Sequence, residues 1–289
     1  MKIGITGASG FIAGQLIPRL SERGHECIAF SRSVGRAVTG CRETRALAPG
    51  TAPDLAGVDA VVNLAGESIL GRWTAAKKGR VRDSRLGVTR QFVDAMSTSP
   101  VRVLISASAS GLYGDRGDEM LTEESAPGRG FLADVCREWE AEALRARTYG
   151  ARVALPRIGF VVAPRGGAME RLRPLFRLGL GGRLGDGRQW MPWVHVSDVA
   201  GLIVHLLEHE TLDGPFHAAA PNPVRNDEFT RALATAVHRP AFCAVPAFAL
   251  RLALGELSDV ALDSTRLAPL RTLGAGYAFE FSQIADALR

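Results

Sequence analysis

Residues 5 to 12 read Ile-Thr-Gly-Ala-Ser-Gly-Phe-Ile, an apolar strand that breaks into glycines and restarts as an apolar helix. The chemistry such a turn can do is capture of a dinucleotide pyrophosphate. Gly7 permits the tight turn and Gly10 lets backbone approach the phosphates. The helix behind Ser9 and Gly10 presents its N-terminal N–H groups and positive dipole end to the anion. Roughly 20 residues further on, where such a fold reads the adenosine ribose, the stretch Cys27-Ile28-Ala29-Phe30 ends in Ser31-Arg32. An acid there would favour NAD, whereas a hydroxyl and a guanidinium suit a 2′-phosphate. A charge-assisted hydrogen bond of that kind contributes about 1.5–3 kcal/mol, hence about 10- to 150-fold preference. The cofactor these residues anticipate is NADP(H).

Such a site needs a particular frame, and the rest of the chain supplies one. Strands are expected near 2–6, 26–30, 59–64, 101–106 and 151–157, with helices near 11–22, 74–97 and 131–147 between them. That alternation is the mark of right-handed βαβ units and a parallel sheet covered on both faces. The predicted class is α/β, a Rossmann-type doubly wound sheet with a smaller C-terminal substrate lobe. Residues 1–160 would form the dinucleotide-binding domain and 161–289 mainly the lobe, with a segment near 190–220 returning to the sheet. In that second half a helix is expected near 198–209, a Pro-rich turn at 221–223 and another helix near 226–237.

Composition narrows the function classes. At 46% hydrophobic over 289 residues the chain can bury a full core, and its most apolar stretch, Ala241 to Leu254, is interrupted by Pro246 and Arg251. A soluble protein without a membrane partner is expected. Lysine occurs only at 2, 77 and 78, and the arginines behind the net charge of +5 are dispersed, which argues against nucleic acid and leaves small anionic molecules as partners. The cysteines at 27, 41, 136 and 243 form no Cys-x-x-Cys, so no zinc site or disulfide framework is indicated and a reducing cytoplasm suits them. His205-Leu206-Leu207-Glu208-His209 has the spacing of some zinc sites. Its inward-spaced leucines and the lack of a third-ligand motif read instead as a solvated helix end, so no metal is expected.

Three further segments carry a resemblance over essentially the whole chain. Leu55 to Gly66, Leu104-Ile105-Ser106-Ala107-Ser108 with Leu112-Tyr113-Gly114, and Trp193-Val194-His195-Val196-Ser197-Asp198-Val199-Ala200 resemble the extended short-chain dehydrogenases/reductases. More narrowly, Asn63-Leu64-Ala65-Gly66-Glu67, Arg72-Trp73, Trp139-Glu140 and Gly181-Gly182-Arg183-Leu184-Gly185 resemble an atypical epimerase-family branch, the nucleoside-diphosphate-sugar epimerase-like proteins. The resemblance implies that Gly7, Gly10, Phe11 and Ile12 line the pyrophosphate. It sets Leu64 and Ala65, in the cofactor-contacting turn ending at Gly66, along the nicotinamide side with Ser106. The fingerprint's third glycine is Ala13, small enough for the same close packing. Helices near 74–97 and 131–147 are those through which relatives pair as homodimers.

Chemistry is where the chain departs from the family. Catalytic members use Tyr-x-x-x-Lys on one helix face, the lysine lowering the tyrosine pKa so that it can pass a proton as hydride moves. Four residues after Tyr113, Tyr149 and Tyr277 stand Gly117, Val153 and Phe281, and alignment on Glu140 puts Leu132 and Cys136 in the two places. Ser108 and Tyr113 are the substitute catalytic candidates, with Ser110 a close rival to Ser108. Glu67, Arg188 and Trp193 are the candidate substrate-pocket residues, with Trp190 and Arg183 beside them, while Cys136 reads as a buried, inert thiol. Two functions follow: an NADP(H)-dependent oxidoreductase or epimerase with an unconventional proton route and a small-molecule substrate, or a catalytically silent NADP(H)-binding regulatory or sensor protein.

Overall fold

Lys2–Thr6 (β1) is buried beyond Lys2, with Ile3 and Ile5 in the core on one face and Gly4 against Phe30 and Val58 on the other, the pattern of a central strand in a sheet covered on each side. The computed structural model describes residues 1–33, 35 and 37–289. In chain order it adds Phe11–Glu22 (α1), Glu26–Ser31 (β2), Cys41–Ala46 (β3), Ala60–Asn63 (β4), Ala75–Met96 (α2), Val103–Ser106 (β5), Phe131–Leu144 (α3) and Arg152–Ile158 (β6). Then follow Met169–Arg177 (α4), Val196–Glu208 (α5), Gly214–Ala218 (β7) and Asn226–Ala236 (α6). The main sheet runs β7-β6-β5-β4-β1-β2-β3, all neighbours parallel, and Ser108–Ala109 pairs with Arg157–Ile158. This is a Rossmann-type sheet with its order reversing at β1, where the glycine turn lies.

β3 lies outside the strands expected from the sequence, and the reason is physical. Cys-Arg-Glu-Thr-Arg-Ala shows no apolar alternation, because an edge strand exposes much of its length and charges on it discourage pairing with another chain.

Helices cover both faces. Leu16, Ile17 and Leu20 of α1 meet Leu202, Ile203 and Leu206 of α5 over Ile3, Ile5 and Val62. On the other face Phe92, Val93 and Met96 of α2 and Ala143 of α3 pack on Val61, Leu104 and Val153, and Phe92 meets Phe30 edge-on at 5.0 Å. A separate core of Met169, Phe176, Phe229, Leu233 and Leu288 builds the lobe. Segments after residue 160 therefore serve two bodies: β7 and α5 complete the sheet layer, while α4, α6 and the C-terminus form the lobe. No helix among the described residues is long and apolar enough to cross a membrane.

Candidate functional site

The glycine turn is shaped by close backbone approach. Gly7 has φ +64, and a Cβ there would lie 2.7 Å from the Leu64 carbonyl oxygen, so this position requires glycine. The Gly10 N–H donates to the Gly7 carbonyl at 2.8 Å, and α1 begins after Gly10 with neither a side-chain cap nor an acidic residue in its first turn. Its leading N–H groups are thus left for an anion. Ser9 and Gly10 are exposed, Phe11 and Ile12 half-buried. Gly166 and Gly167 of the lobe cross the Phe11 ring: Cβ atoms on them would stand 2.4 and 2.8 Å from ring carbons, and this contact seats the lobe beside the cradle.

Opposite Gly7, a buried hydrogen-bond chain holds the turn after β4. Leu64 and Ala65 N–H both donate to Thr6 Oγ1 at 3.0 Å, and Thr6 Oγ1 donates to Asn63 Oδ1 at 2.7 Å. Asn63 Nδ2 donates to Thr89 Oγ1 at 2.8 Å and to Ser106 Oγ at 3.3 Å, and Trp139 Nε1 also donates to Thr89 Oγ1, at 2.9 Å. One hydroxyl on α2 therefore ties β4, α2 and α3 together beneath the cradle. Thr89→Val keeps the shape but removes the acceptor of two buried donors. It should cost about 2–3 kcal/mol in urea denaturation; an unchanged midpoint would show that water replaces the hydroxyl.

Around the rim, Glu67 accepts from Lys77 Nζ at 2.8 Å with Arg80 3.9 Å away. The Lys77 hydrogen bond and charge hold its carboxyl below the usual range, with Arg80 and Arg32 adding to the pull. Arg32 is exposed, just beyond β2, and Ser31 Oγ accepts from the Ser33 N–H at 3.1 Å. The sequence-predicted residues Gly7, Ser9, Gly10, Phe11, Ile12, Leu64, Ala65, Gly66 and Glu67 lie along the β1–α1 and β4–α2 connections, and Ser31 and Arg32 at the neighbouring end of β2. Ser106 is fully enclosed, so its side chain acts through Asn63.

The expected catalytic hydroxyls are turned inward. Ser108 Oγ donates to Glu140 Oε1 at 2.6 Å, and Arg157 clamps the same carboxylate with Nε at 2.8 Å and Nη2 at 2.9 Å. Tyr113 is fully enclosed; its Oη accepts from Arg157 Nη1 at 2.7 Å and lies 2.7 Å from His217 Nε2. His217 Nδ1 faces the Ala268 carbonyl at 3.1 Å, an acceptor only, so the neutral imidazole carries its proton on Nδ1 and its Nε2 accepts a hydrogen bond from the phenol O–H, which also reaches the Thr122 carbonyl at 3.2 Å. Burial pushes the Tyr113 phenol up to about 12, the opposite of what a proton donor at neutral pH needs. Tyr113 and Ser108 are accordingly corrected to members of an internal polar network, because burial and internal partners occupy their hydroxyls. Ser110 is half-buried and its hydroxyl makes no hydrogen bond among the described residues. Leu132, in the tyrosine's place, packs where a Cβ on neighbouring Gly111 would stand.

Trp193 also needs correction. It is fully buried in the lobe core with its N–H on the Asn222 carbonyl at 2.9 Å, so it cannot line a pocket. Trp190 is the accessible aromatic: it carries Arg225 and Arg266 on its ring and lines a cleft of about 320 Å³ with Met120, Pro221 and Pro223. No cradle residue lines that cleft. Arg188 is exposed and its carbonyl accepts from Arg225. In the His205–His209 stretch, Glu208 pairs with Arg23 at 2.7 Å and His205 faces the Ala275 carbonyl at 2.9 Å.

Sequence reasoning missed Lys77, Arg85, Thr89 and the Glu140–Arg157 pair. The signal available was weak: α2 reads as a polar, charged helix, and nothing in its spacing says which of its polar residues face inward.

Comparison with known proteins agrees with this geometry. The model of the NAD dependent epimerase/dehydratase family matches residues 3–218, and that of a domain of unknown function (DUF1731) matches 245–289. The chain is 38% identical to the Arabidopsis thaliana "Epimerase family protein SDR39U1 homolog, chloroplastic", with 100% of this chain and 86% of the relative covered. It superposes on the human epimerase family protein SDR39U1 (isoform 2), solved with NADPH, with TM-score 0.91 and 32% identity, covering 100% of this chain and 98% of that one. A nucleoside-diphosphate sugar epimerase from Corynebacterium glutamicum matches with TM-score 0.81 and 33% identity over 100% of this chain and 57% of its own. From its glycine turn through its sheet order to these relatives, the chain belongs to the NAD dependent epimerase/dehydratase family.

Proposed function

We propose that this protein is an NADP(H)-dependent oxidoreductase or epimerase acting on a small molecule without the Tyr-x-x-x-Lys pair. The observation that carries the reading is the cradle: a glycine turn closed on Leu64, an uncapped helix N-terminus, and Arg32 at the ribose end of β2. Arg32, Lys77 and Arg80 act together on the single carboxylate of Glu67, so the rim is net positive and suits the extra phosphate of NADP(H). When bound, the nicotinamide would supply hydride; this chain's residues would hold the phosphates and orient the ring against the Leu64–Gly66 turn, and Ser110 is the candidate hydroxyl that no internal partner engages among the described residues. The NADPH in the human relative supports the same cofactor.

The test is calorimetric titration of cofactor-stripped protein with NADPH and then NADH. Arg32→Asp should weaken NADPH by about 10- to 150-fold and leave NADH nearly unchanged. Equal losses for both would remove Arg32 from 2′-phosphate recognition. Carbonyl compounds and nucleotide sugars are the substrates to screen by NADPH oxidation.

The internal engagement of Ser108 and Tyr113 favours a second reading, an NADP(H)-responsive binding protein that performs no chemistry. Tight NADPH binding together with no oxidation across both substrate classes would select it. A reducing compartment, the cytoplasm in our reading, suits either, since all four cysteines are free and burial keeps Cys27, Cys41 and Cys136 as thiols.

A further inference from the structure

Arg85, on α2, is a half-buried cation in an uncommon setting. Its Nη1 donates to the carbonyls of Val81 at 3.0 Å and Glu67 at 3.1 Å, and its guanidinium carbon lies 5.4 Å from the Trp139 ring centroid. Among the described residues, Nε and Nη2 have no hydrogen-bond partner and no carboxylate forms an ion pair with it. The Glu67 carboxylate acts on it only at longer range and is engaged by Lys77. The Nε and Nη2 atoms are not among the fully buried unpartnered nitrogens, so solvent meets this edge of the cation, and a bound molecule can take the solvent's place.

Its position suggests what that is. A Cβ on Gly66 would stand 3.1–3.4 Å from the guanidinium atoms, so the cation lies against Gly66 of the Leu64–Gly66 turn, and a side chain there would shift it by a few tenths of an ångström. Its charge also acts on the Cys136 thiol. Cys136 is the residue that stands where catalytic relatives carry lysine. It is buried and held as a neutral thiol, so it cannot supply the lysine's charge from α3.

We propose that Arg85 supplies from α2 the positive charge that lysine would supply from α3, positioning the nicotinamide half of bound NADP(H) and favouring its reduced form. The inference rests on the reading that NADP(H) occupies the cradle. The oxidised ring carries a positive charge and the reduced ring none. A fixed cation nearby, in a site of effective dielectric about 20, opposes the oxidised form enough to separate the two affinities by about tenfold.

The experiment measures Kd for NADPH and for NADP+ on the natural chain, Arg85→Lys and Arg85→Gln, with thermal denaturation of each. The natural chain and R85K should hold NADPH about tenfold tighter than NADP+, and R85Q should lose that ratio while still binding both. A loss of packing alone would weaken both forms equally. R85Q binding with the natural ratio overturns the inference, as does R85K behaving like R85Q, because then shape and not charge matters. If R85Q does not fold, Arg85→Met, which keeps the apolar stack on Trp139, carries the same comparison. If the natural chain binds neither form, it is the cofactor reading that falls, and that is seen before any variant is compared.

Discussion

Gly7→Val should abolish NADPH binding, with affinity falling at least about a thousandfold, or about 4 kcal/mol. Two features of the position act together. Its φ of +64 is left-handed, where a β-branched residue is a genuine outlier, and the new Cβ would sit 2.7 Å from the Leu64 carbonyl oxygen and 2.9 Å from its carbon. Both obstacles are backbone, so no rotamer change relieves them. The Leu64–Ala65 turn must move, and Thr6 pins it through two N–H bonds. Gly14→Ala is the matched control. A Cβ there meets nothing within 4 Å, so it should leave binding intact and stabilise α1 by about 0.5–1 kcal/mol. Calorimetry with NADPH checks both, and a G7V protein that binds as the natural chain does would show that the dinucleotide does not rest on this turn.

Glu140→Ala should destabilise the fold by about 3–5 kcal/mol, the cost of leaving one member of a buried ion pair alone. Arg157 loses both partners of its bidentate clamp, and the side chains of Arg157 and Glu140 are only 9% and 11% exposed. Ser108 loses its acceptor at the same time. Tyr113 and the Glu123 carbonyl still accept from Arg157 Nη1, but a neutral phenol and a peptide carbonyl do not balance a charge. Replacing both members, Glu140→Leu with Arg157→Met, should recover most of the loss. Chemical denaturation of Glu140→Leu, Arg157→Met and the double closes the cycle, and a Glu140→Ala loss below about 1 kcal/mol would mean that water already reaches the pair.

How much of this was legible beforehand depended on the range of the interaction concerned. β1, α1, β4 and α3 follow from apolar periodicity and from glycines at turns, because burial on one face or two imposes its period on neighbouring residues. Charged Cys41–Ala46 escaped because edge pairing uses backbone groups and leaves little trace in side-chain type. In the site, a left-handed turn needs glycine wherever the chain goes next, so Gly7 could be read locally, as could Arg32 at the end of its strand. Tyr113 could not. Its hydroxyl meets His217 across 104 residues of sequence, and only the packed sheet decides that the phenol turns to that partner instead of a substrate. Arg85 illustrates the same division: a polar helix admits any of its cations at the surface, and what singles out this one is a missing side chain at Gly66 and a thiol at Cys136, brought together by folding. The sequence by itself determined the sheet and the glycine turn at its centre, and it contains no Tyr-x-x-x-Lys, all of which depend on residue type and local spacing. The tertiary structure alone decided which hydroxyls and charges are spent inside the protein and which remain free, because desolvation and pairing depend on neighbours distant in sequence.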